Sequence, residues 1–147
     1  MKKYISWEEY DIYIEKISRW VYDNFYNQNL QEMEIGAIYG LPRGGLPIAV
    51  SLSHTLKLPL LMNYYDRKVV THKKILVVDD IADTGETLED FDNKHNVICT
   101  FHYHKQSLVK PNYYCKEKGN DWIVYPWETR DSEEVQDYLK EEVINEK

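Results

Sequence analysis

Apolar positions near the start of the chain recur with the period of an α-helix. Between residues 6 and 25 they follow the i, i+3, i+4, i+7 spacing of one buried helix face. Ser6 and Glu9 stand at the start of this segment with the spacing of a capping box, in which each side chain accepts the other residue's backbone N–H. The pattern therefore predicts an amphipathic helix whose aromatic side chains belong to the core. Its apolar face consists of Tyr10, Tyr13, Ile14, Ile17, Trp20 and Val21.

Short apolar runs separated by turn-forming residues follow in the middle of the chain, and they indicate strands. Strands are predicted at Ile35–Tyr39, Pro59–Tyr64, Ile75–Val78, Val97–Tyr103 and Trp122–Tyr125. Helices are predicted at Leu46–Leu56, after the acidic turn Asp79–Glu86 through about Phe91, and from Asp131 or Ser132 onward. The polar stretch Asn24–Glu34 is predicted to be a loop.

Strand–turn–helix units occur twice in this arrangement, which is typical of a mostly parallel sheet flanked by helices. We therefore predict an α/β fold. The 147 residues contain no repeat, linker or low-complexity tract, so a single domain over residues 1–147 is expected.

Charge and cysteine content narrow the classes of function. The formal net charge of −7 argues against broad nucleic-acid binding, which needs a basic surface. Cys99 and Cys115 form neither a disulfide framework nor a CxxC pair, which favours a reduced, cytoplasmic setting. No stretch approaches the roughly 20 apolar residues of a membrane span. The 13 Tyr suit oligomer contacts or a stacking pocket, although they equally fit a compositional bias.

Chemically useful residues concentrate after the predicted strand Ile75–Val78. Asp79 and Asp80 follow the strand directly, and a Thr-Gly-Glu-Thr turn follows after Asp83. Ligands in open α/β sheets bind outside the carboxyl ends of strands. A glycine turn at a helix start exposes backbone N–H groups to an anion, while carboxylates suit sugar hydroxyls or a hard cation such as Mg²⁺. A helix cap is the alternative interpretation, but a cap needs only one Asp or Thr.

The stretch VVDDIADTGET resembles the phosphoribosyl pyrophosphate (PRPP) binding signature of the type I phosphoribosyltransferases. The resemblance implies that Asp79 and Asp80 contact the ribose hydroxyls and position Mg²⁺. It further implies that Asp83 lies near the base nitrogen as a general base. The 5-phosphate would be held by Thr84, Gly85, Glu86 and Thr87.

A second loop, Tyr39–Gly45, resembles the pyrophosphate loop of the same family. The guanidinium of Arg43 and the backbone N–H groups of Gly44 and Gly45 would bind the pyrophosphate, since an Arg fork grips phosphate oxygens bidentately. An R-G-G turn alone is equally well an ordinary turn. It gains weight from the neighbouring motif.

Residues 4 to 128 are similar to bacterial xanthine–guanine phosphoribosyltransferases. This similarity implies that Lys105 binds the exocyclic oxygen of a 6-oxopurine, that Trp122 stacks on the base and that Ile123 offers backbone contacts. It also implies a small hood region over the sheet and a homodimer or homotetramer. Core packing is the alternative for Trp122. His102 and His104 alternate along one strand, but no further ligand completes a metal site.

Two departures from the family pattern leave alternatives open. Only about Asp66 to His72 separates two predicted strands where relatives carry a mobile loop, so the flexible loop is shortened. Val124 and Tyr125 stand where relatives tend to be more polar, which affects the preference among bases. The chain is therefore expected to be a PRPP-dependent purine phosphoribosyltransferase. A non-catalytic PRPP or nucleotide sensor, and a phosphoribosyltransferase with another acceptor, are the alternatives.

Overall fold

The computed structural model describes residues 1–66 and 72–129. The strands are β1 (Lys2–Tyr4), β2 (Tyr26–Asn27), β3 (Glu32–Met33), β4 (Ile35–Gly40), β5 (Leu60–Leu61), β6 (Lys74–Ala82), β7 (Asn96–Tyr103), β8 (Tyr113–Glu117) and β9 (Trp122–Val124). The helices are α1 (Trp7–Phe25), α2 (Gly45–Leu56) and α3 (Glu86–Glu89). Five strands form one sheet in the order β5-β4-β6-β7-β8, with every neighbouring pair parallel. The predicted α/β fold with a parallel central sheet is confirmed.

Helix α1 begins where the capping box predicts. Ser6 Oγ accepts the backbone N–H of Glu9 at 3.1 Å, and the backbone N–H of Ser6 donates to Glu9 Oε1 at 3.4 Å. All the predicted face residues are buried except Trp20, which is partly buried and stacks on Tyr113. The apolar face of α1 therefore belongs to the core, as the periodicity indicates.

The central sheet is apolar on both faces. Successive side chains of a strand point to opposite faces, and in β6 Leu76 and Val78 belong to one buried cluster while Ile75 and Val77 belong to another. The first cluster also contains the buried hydrophobic side chains of α1 and α2. Burial on both faces explains why the strand reads as a continuous apolar run rather than an alternating one.

Strand β6 is longer than predicted. The sequence predicts a strand over Ile75–Val78 followed by an acidic turn, but the strand continues through both aspartates to Ala82. Pairing with β7 explains this extension, because Asp79 lies beside Thr100 and Ala82 lies beside Tyr103. The carboxylates therefore sit on a strand end, which is more rigid than a turn.

Three smaller predictions need correction. The predicted loop Asn24–Glu34 contains the end of α1 and the antiparallel β2–β3 pair, and within it Asn27 Oδ1 accepts the backbone N–H of Leu30. The predicted strand Pro59–Tyr64 is reduced to β5, which lies at the sheet edge and pairs with β4 alone. Strand β8 was not predicted. It lies at the other edge and has a mixed, partly exposed sequence without an apolar run.

Strands β1 and β9 form a separate parallel pair outside the five-stranded sheet. Most of the shortened segment from Asp66 to His72, and the final helix predicted from Asp131 or Ser132, lie outside the described residues. Within residues 1–66 and 72–129, no helix has both the length and the apolar character needed to cross a membrane.

Candidate functional site

A cavity of about 710 Å³ lies at the carboxyl ends of the central strands. Parallel strands all end at the same edge of a sheet, so the loops after β4 and β6 meet there with the residues around β9. Most of the sequence-predicted site residues line this cavity. They are Arg43, Gly44, Asp79, Asp80, Asp83, Thr84, Gly85, Thr87, Trp122 and Ile123.

The loop after β4 packs directly against the aspartates of β6. A Cβ atom at Gly44 would lie 2.1 Å from Asp80 Oδ2, and one at Gly45 would lie 2.3 Å from the carbonyl oxygen of Val78. No side chain fits at either position without a shift of its neighbours. Gly45 is the first residue of α2 and lies outside the cavity lining, whereas Arg43 and Gly44 belong to it.

The two aspartates on β6 are half-buried and partly bonded to their own backbone. Asp79 Oδ1 accepts the backbone N–H of Asp80 at 2.9 Å, and Asp80 Oδ1 accepts the backbone N–H of Ile81 at 2.8 Å. These bonds fix the orientation of both carboxyl groups at the cavity wall. Two adjacent carboxylates are hard oxygen donors of the type that Mg²⁺ prefers.

The loop that follows β6 has the backbone that an anion site needs. Gly85 has a φ of 83°, and a Cβ there would lie 2.5 Å from Ser107 Oγ and 2.6 Å from the backbone nitrogen of Leu108. The carbonyl oxygen of Thr84 accepts the backbone N–H of Leu108 at 2.8 Å, which ties the loop to the segment after β7. Thr84 and Thr87 line the cavity, whereas Glu86 is exposed outside its lining.

The cation beside Asp83 in the cavity is Lys118, which belongs to none of the sequence motifs. Lys118 Nζ lies 3.5 Å from Asp83 Oδ1 and 5.7 Å from the ring centroid of Trp122. The side chains of Lys118 and Asp83 are only 7% and 12% exposed. Gln106 Nε2 also donates to Asp83 Oδ1, at 3.3 Å. A charged pair and a flat aromatic ring therefore share one wall.

Lys105 lies outside this arrangement. Its side chain is 80% exposed, its Nζ lies 3.4 Å from Glu117 Oε1, and it does not line the cavity. Lys118 follows β8 directly and stands four residues before Trp122. The position of Lys118 could not be inferred from the sequence, because β8 was not predicted.

A buried tyrosine, Tyr125, also lines the cavity beside the aspartates, and the buried His102 contacts it; neither belongs to a sequence motif of the site. The Tyr125 hydroxyl donates to the carbonyl oxygen of Asp80 at 3.1 Å and lies 2.9 Å from His102 Nδ1. Burial, and then the nearby Asp80 and Asp79 carboxylates, raise the pKa of Tyr125 well above its usual value. Burial, and then the Lys3 ammonium, lower the pKa of His102 to about 3. Both side chains are therefore uncharged near neutral pH.

The described residues do not form a complete metal site from side chains alone. No group of three or more His, Cys, Asp or Glu side chains able to hold a metal ion occurs in residues 1–66 and 72–129. His102 contacts Tyr125, and His104 Nδ1 accepts the backbone N–H of Gln106 at 3.2 Å. The donor set of Asp79 and Asp80 fits Mg²⁺ bound through two carboxylates and completed by water and phosphate oxygens, which is its usual mode with phosphorylated substrates.

Comparison with known proteins gives matches among solved structures. No protein-family model matches the sequence, and no curated protein matches it. The purine phosphoribosyltransferase from Pyrococcus horikoshii Ot3 is 27% identical, with a TM-score of 0.68 over 91% of this chain and 99% of that one. The Helicobacter pylori xanthine-guanine-hypoxanthine phosphoribosyltransferase is 16% identical, with a TM-score of 0.66 over 100% and 99%. A hypothetical protein from Neisseria gonorrhoeae, solved with bound ppGpp, is 18% identical, with a TM-score of 0.71 over 98% and 94%.

The buried, uncharged His102 predicts an acid-sensitive fold. The unfolded chain takes up a proton on this residue below about pH 6.5, whereas the folded chain does so only near pH 3. Between these values the unfolded state binds more protons, so stability rises with pH and is lost as pH falls. We expect this residue to contribute a loss of about 2 kcal/mol in unfolding free energy from pH 7 to pH 5.

Urea denaturation across this pH range measures the effect. His102→Asn should remove this part of the pH dependence, while His54→Asn, at an exposed position, should leave the wild-type slope intact. Wild-type and His102→Asn curves with the same slope would contradict the account.

Proposed function

We propose that the chain is a type I phosphoribosyltransferase and that it transfers the 5-phosphoribosyl group of PRPP to a 6-oxopurine base, a proposal that the structural match to purine phosphoribosyltransferases supports. One observation carries the proposal. A single cavity is lined by the glycine–threonine loop, Arg43, the aspartate pair and the Lys118–Trp122 wall. These groups suit, in turn, a phosphate, a pyrophosphate, a ribose and a flat base with a polar edge.

The phosphorylated ends of PRPP are bound by the loops after β6 and β4. The loop Thr84–Thr87 offers hydroxyl donors and a glycine that allows close backbone approach, which suits the 5-phosphate. Arg43 and the backbone of Gly44 bind the pyrophosphate, with charge-assisted hydrogen bonds from the guanidinium. Because the chain is acidic overall, this local positive charge is what attracts the substrate.

Asp79 and Asp80 contact the ribose hydroxyls and hold Mg²⁺. When bound, Mg²⁺ offsets the negative charge of the pyrophosphate as it leaves. The carboxylates themselves also stabilise the positive charge that develops at C1 of the ribose. Their fixed orientation on a strand end means that little reorganisation is needed when the substrate binds.

The base lies against Trp122, with the backbone of Ile123 at its edge and Lys118 beside its exocyclic group. An ammonium group donates hydrogen bonds and accepts none, so it favours an exocyclic oxygen and disfavours the amino group of adenine. In this proposal Lys118 has the role that the sequence resemblance gave to Lys105, because Lys118 lies in the cavity.

Asp83 accepts the proton that the purine loses. The bond between C1 of the ribose and the pyrophosphate oxygen breaks, and the pyrophosphate leaves with the electron pair. The lone pair of the purine nitrogen N9 forms the new bond to C1. The proton on N7 of the same purine passes to Asp83, directly or through water. The proximity of Lys118 and Gln106 holds the Asp83 carboxylate on the base side of the cavity.

A base-dependent release of pyrophosphate tests the proposal directly. The protein is mixed with Mg²⁺, PRPP and hypoxanthine, guanine or xanthine, and pyrophosphate is measured over time. We expect release with at least one 6-oxopurine and much slower release with adenine or without a base. Release with a pyrimidine alone would point to a different acceptor.

Nucleotide binding without turnover is the second candidate. The fold match to the N. gonorrhoeae protein with bound ppGpp favours it. The connection between β5 and β6 also favours it, because it has only 12 residues. A longer loop here would act as a lid that excludes water from the reacting centre. Binding of PRPP or a guanine nucleotide with no pyrophosphate release on any base would support this candidate and refute the transferase.

Lys118→Met tests which lysine selects the base. Loss of a charge-assisted hydrogen bond should lower kcat/KM for hypoxanthine about 10- to 100-fold. The preference for hypoxanthine over adenine should decrease as well. Lys110→Met, at an exposed position, serves as the control. If Lys105→Met produces the loss and Lys118→Met does not, the assignment reverts to Lys105.

Asp83→Asn tests the proton acceptor. The amide keeps the shape of the carboxylate but accepts protons poorly, so kcat should fall about 10²- to 10⁴-fold. Affinity for PRPP, measured by calorimetry, should change only a few-fold. An unchanged kcat would remove Asp83 from this role.

A further inference from the structure

We propose that His102 and Tyr125 are positioning residues for PRPP, acting through the backbone of Asp80. The inference rests on the proposed function, since it concerns the same aspartate pair. Neither residue belongs to the sequence motifs of the site, and Tyr125 stands where the resemblance to relatives breaks down. Their role follows from three linked contacts beneath the cavity.

The end of β6 needs support from outside the sheet. Strand β4 ends at Gly40, which lies beside Val78, whereas β6 continues to Ala82 with β7 as its neighbour. In this projecting part, the backbone N–H of Asp80 donates to Asp79 Oδ1 and its carbonyl oxygen accepts the Tyr125 hydroxyl. Side chains thus bind both backbone groups of Asp80.

The donors and acceptors available at His102, Tyr125 and Asp80 fix the direction of both hydrogen bonds that link them. A carbonyl oxygen only accepts, so the single proton of the Tyr125 hydroxyl points at Asp80. The hydroxyl oxygen must then accept from His102, so Nδ1 carries the ring proton and Nε2 does not. The relay runs from His102 Nδ1–H to the Tyr125 hydroxyl and on to the Asp80 carbonyl oxygen.

This tautomer leaves His102 Nε2 buried without a hydrogen-bond partner among the described residues. Burying an unpaired acceptor is unfavourable, and an apolar side chain would fill the same space without that penalty. What the imidazole adds over apolar packing is one hydrogen bond, from Nδ1–H to the Tyr125 hydroxyl. That hydrogen bond is what separates a positioning role from space filling.

Packing holds the relay in one geometry. Tyr125 is 3% exposed and stacks on Trp127 with ring centroids 5.0 Å apart and planes 6° apart. His102 is 1% exposed and meets the edge of Tyr13 on α1, with ring centroids 5.5 Å apart. The hydroxyl position is therefore set by the core, and the core in turn sets the position of Asp80.

The consequence concerns PRPP rather than the base. Asp80 Oδ2 lies so close to Gly44 that a Cβ there would be 2.1 Å away, so a displaced Asp80 disturbs the pyrophosphate loop as well as the ribose and Mg²⁺ contacts. Lys118 follows β8 and Trp122 begins β9, so the residues that we assign to the base lie on neither β6 nor the loop after β4. Loss of the relay should weaken PRPP binding selectively.

Paired substitutions at His102 test the inference. His102→Leu has about the size of the imidazole but removes the hydrogen bond, whereas His102→Asn is smaller and can place an N–H where Nδ1–H stands. We expect His102→Leu to raise the KM for PRPP, and the calorimetric Kd for PRPP with Mg²⁺, about tenfold. The KM for hypoxanthine should stay within about twofold, and His102→Asn should restore PRPP binding to within a few-fold of wild type.

Several outcomes would overturn the inference. Equal weakening by Leu and Asn, or an equal rise in the KM for both substrates, would reduce His102 to a packing residue. Thermal unfolding is measured for each variant, and if His102→Leu does not fold, Tyr125→Phe takes its place and must weaken PRPP binding to the same extent. Unchanged affinity in that variant also refutes the relay. Wild-type protein that neither binds nor turns over PRPP would refute the proposed function instead.

Discussion

The end of strand β6 extends beyond its neighbour β4, and the arrangement of the cavity depends on how this projecting end is held. The projecting end of β6 holds the carboxylates of Asp79 and Asp80 at the carboxyl end of the central strand, on a fixed backbone rather than in a turn. A backbone that leaves the ladder needs other hydrogen-bond partners, because unpaired buried groups are unfavourable. Here the partners are side chains, from Asp79 on one side and Tyr125 on the other.

The cavity brings positively and negatively charged side chains close together, although the protein as a whole is acidic. The chain has a net charge of −7, yet Arg43 and Lys118 line a cavity that also contains three aspartates. A Cβ at Gly44 would force the Asp80 carboxylate to move, and the positive φ of Gly85 favours a glycine there. Each glycine thus permits a close backbone approach at a point where a phosphate is expected.

The sequence predicts the parts of the fold that local patterns determine. The capping box at Ser6 marks the start of α1, and the apolar run at Ile75 marks β6, because both signals lie within a few residues. The aspartates and the glycine–threonine loop were identified for the same reason. All of the predicted phosphate-binding residues line the cavity except Gly45, which begins α2, and Glu86, which is exposed.

Features that depend on distant parts of the chain were missed. Strand β8 is stabilised by pairing with β7 rather than by its own composition, so its end, and with it Lys118, could not be located. The contact of Tyr125 with Asp80 joins residues 45 positions apart, which no local pattern encodes. Lys105 was assigned to the base from the resemblance to xanthine–guanine phosphoribosyltransferases, but its side chain is exposed and pairs with Glu117.

Calorimetric titration of PRPP in the presence of Mg²⁺, into wild-type protein and Gly44→Ala, tests the central claim most directly. A Cβ at residue 44 collides with the Asp80 carboxylate, so it should block a ligand held between the loop and the aspartates. The account predicts one binding site per chain in the wild type and severe loss in the variant. Equal binding to both proteins, or no binding to either, would contradict it.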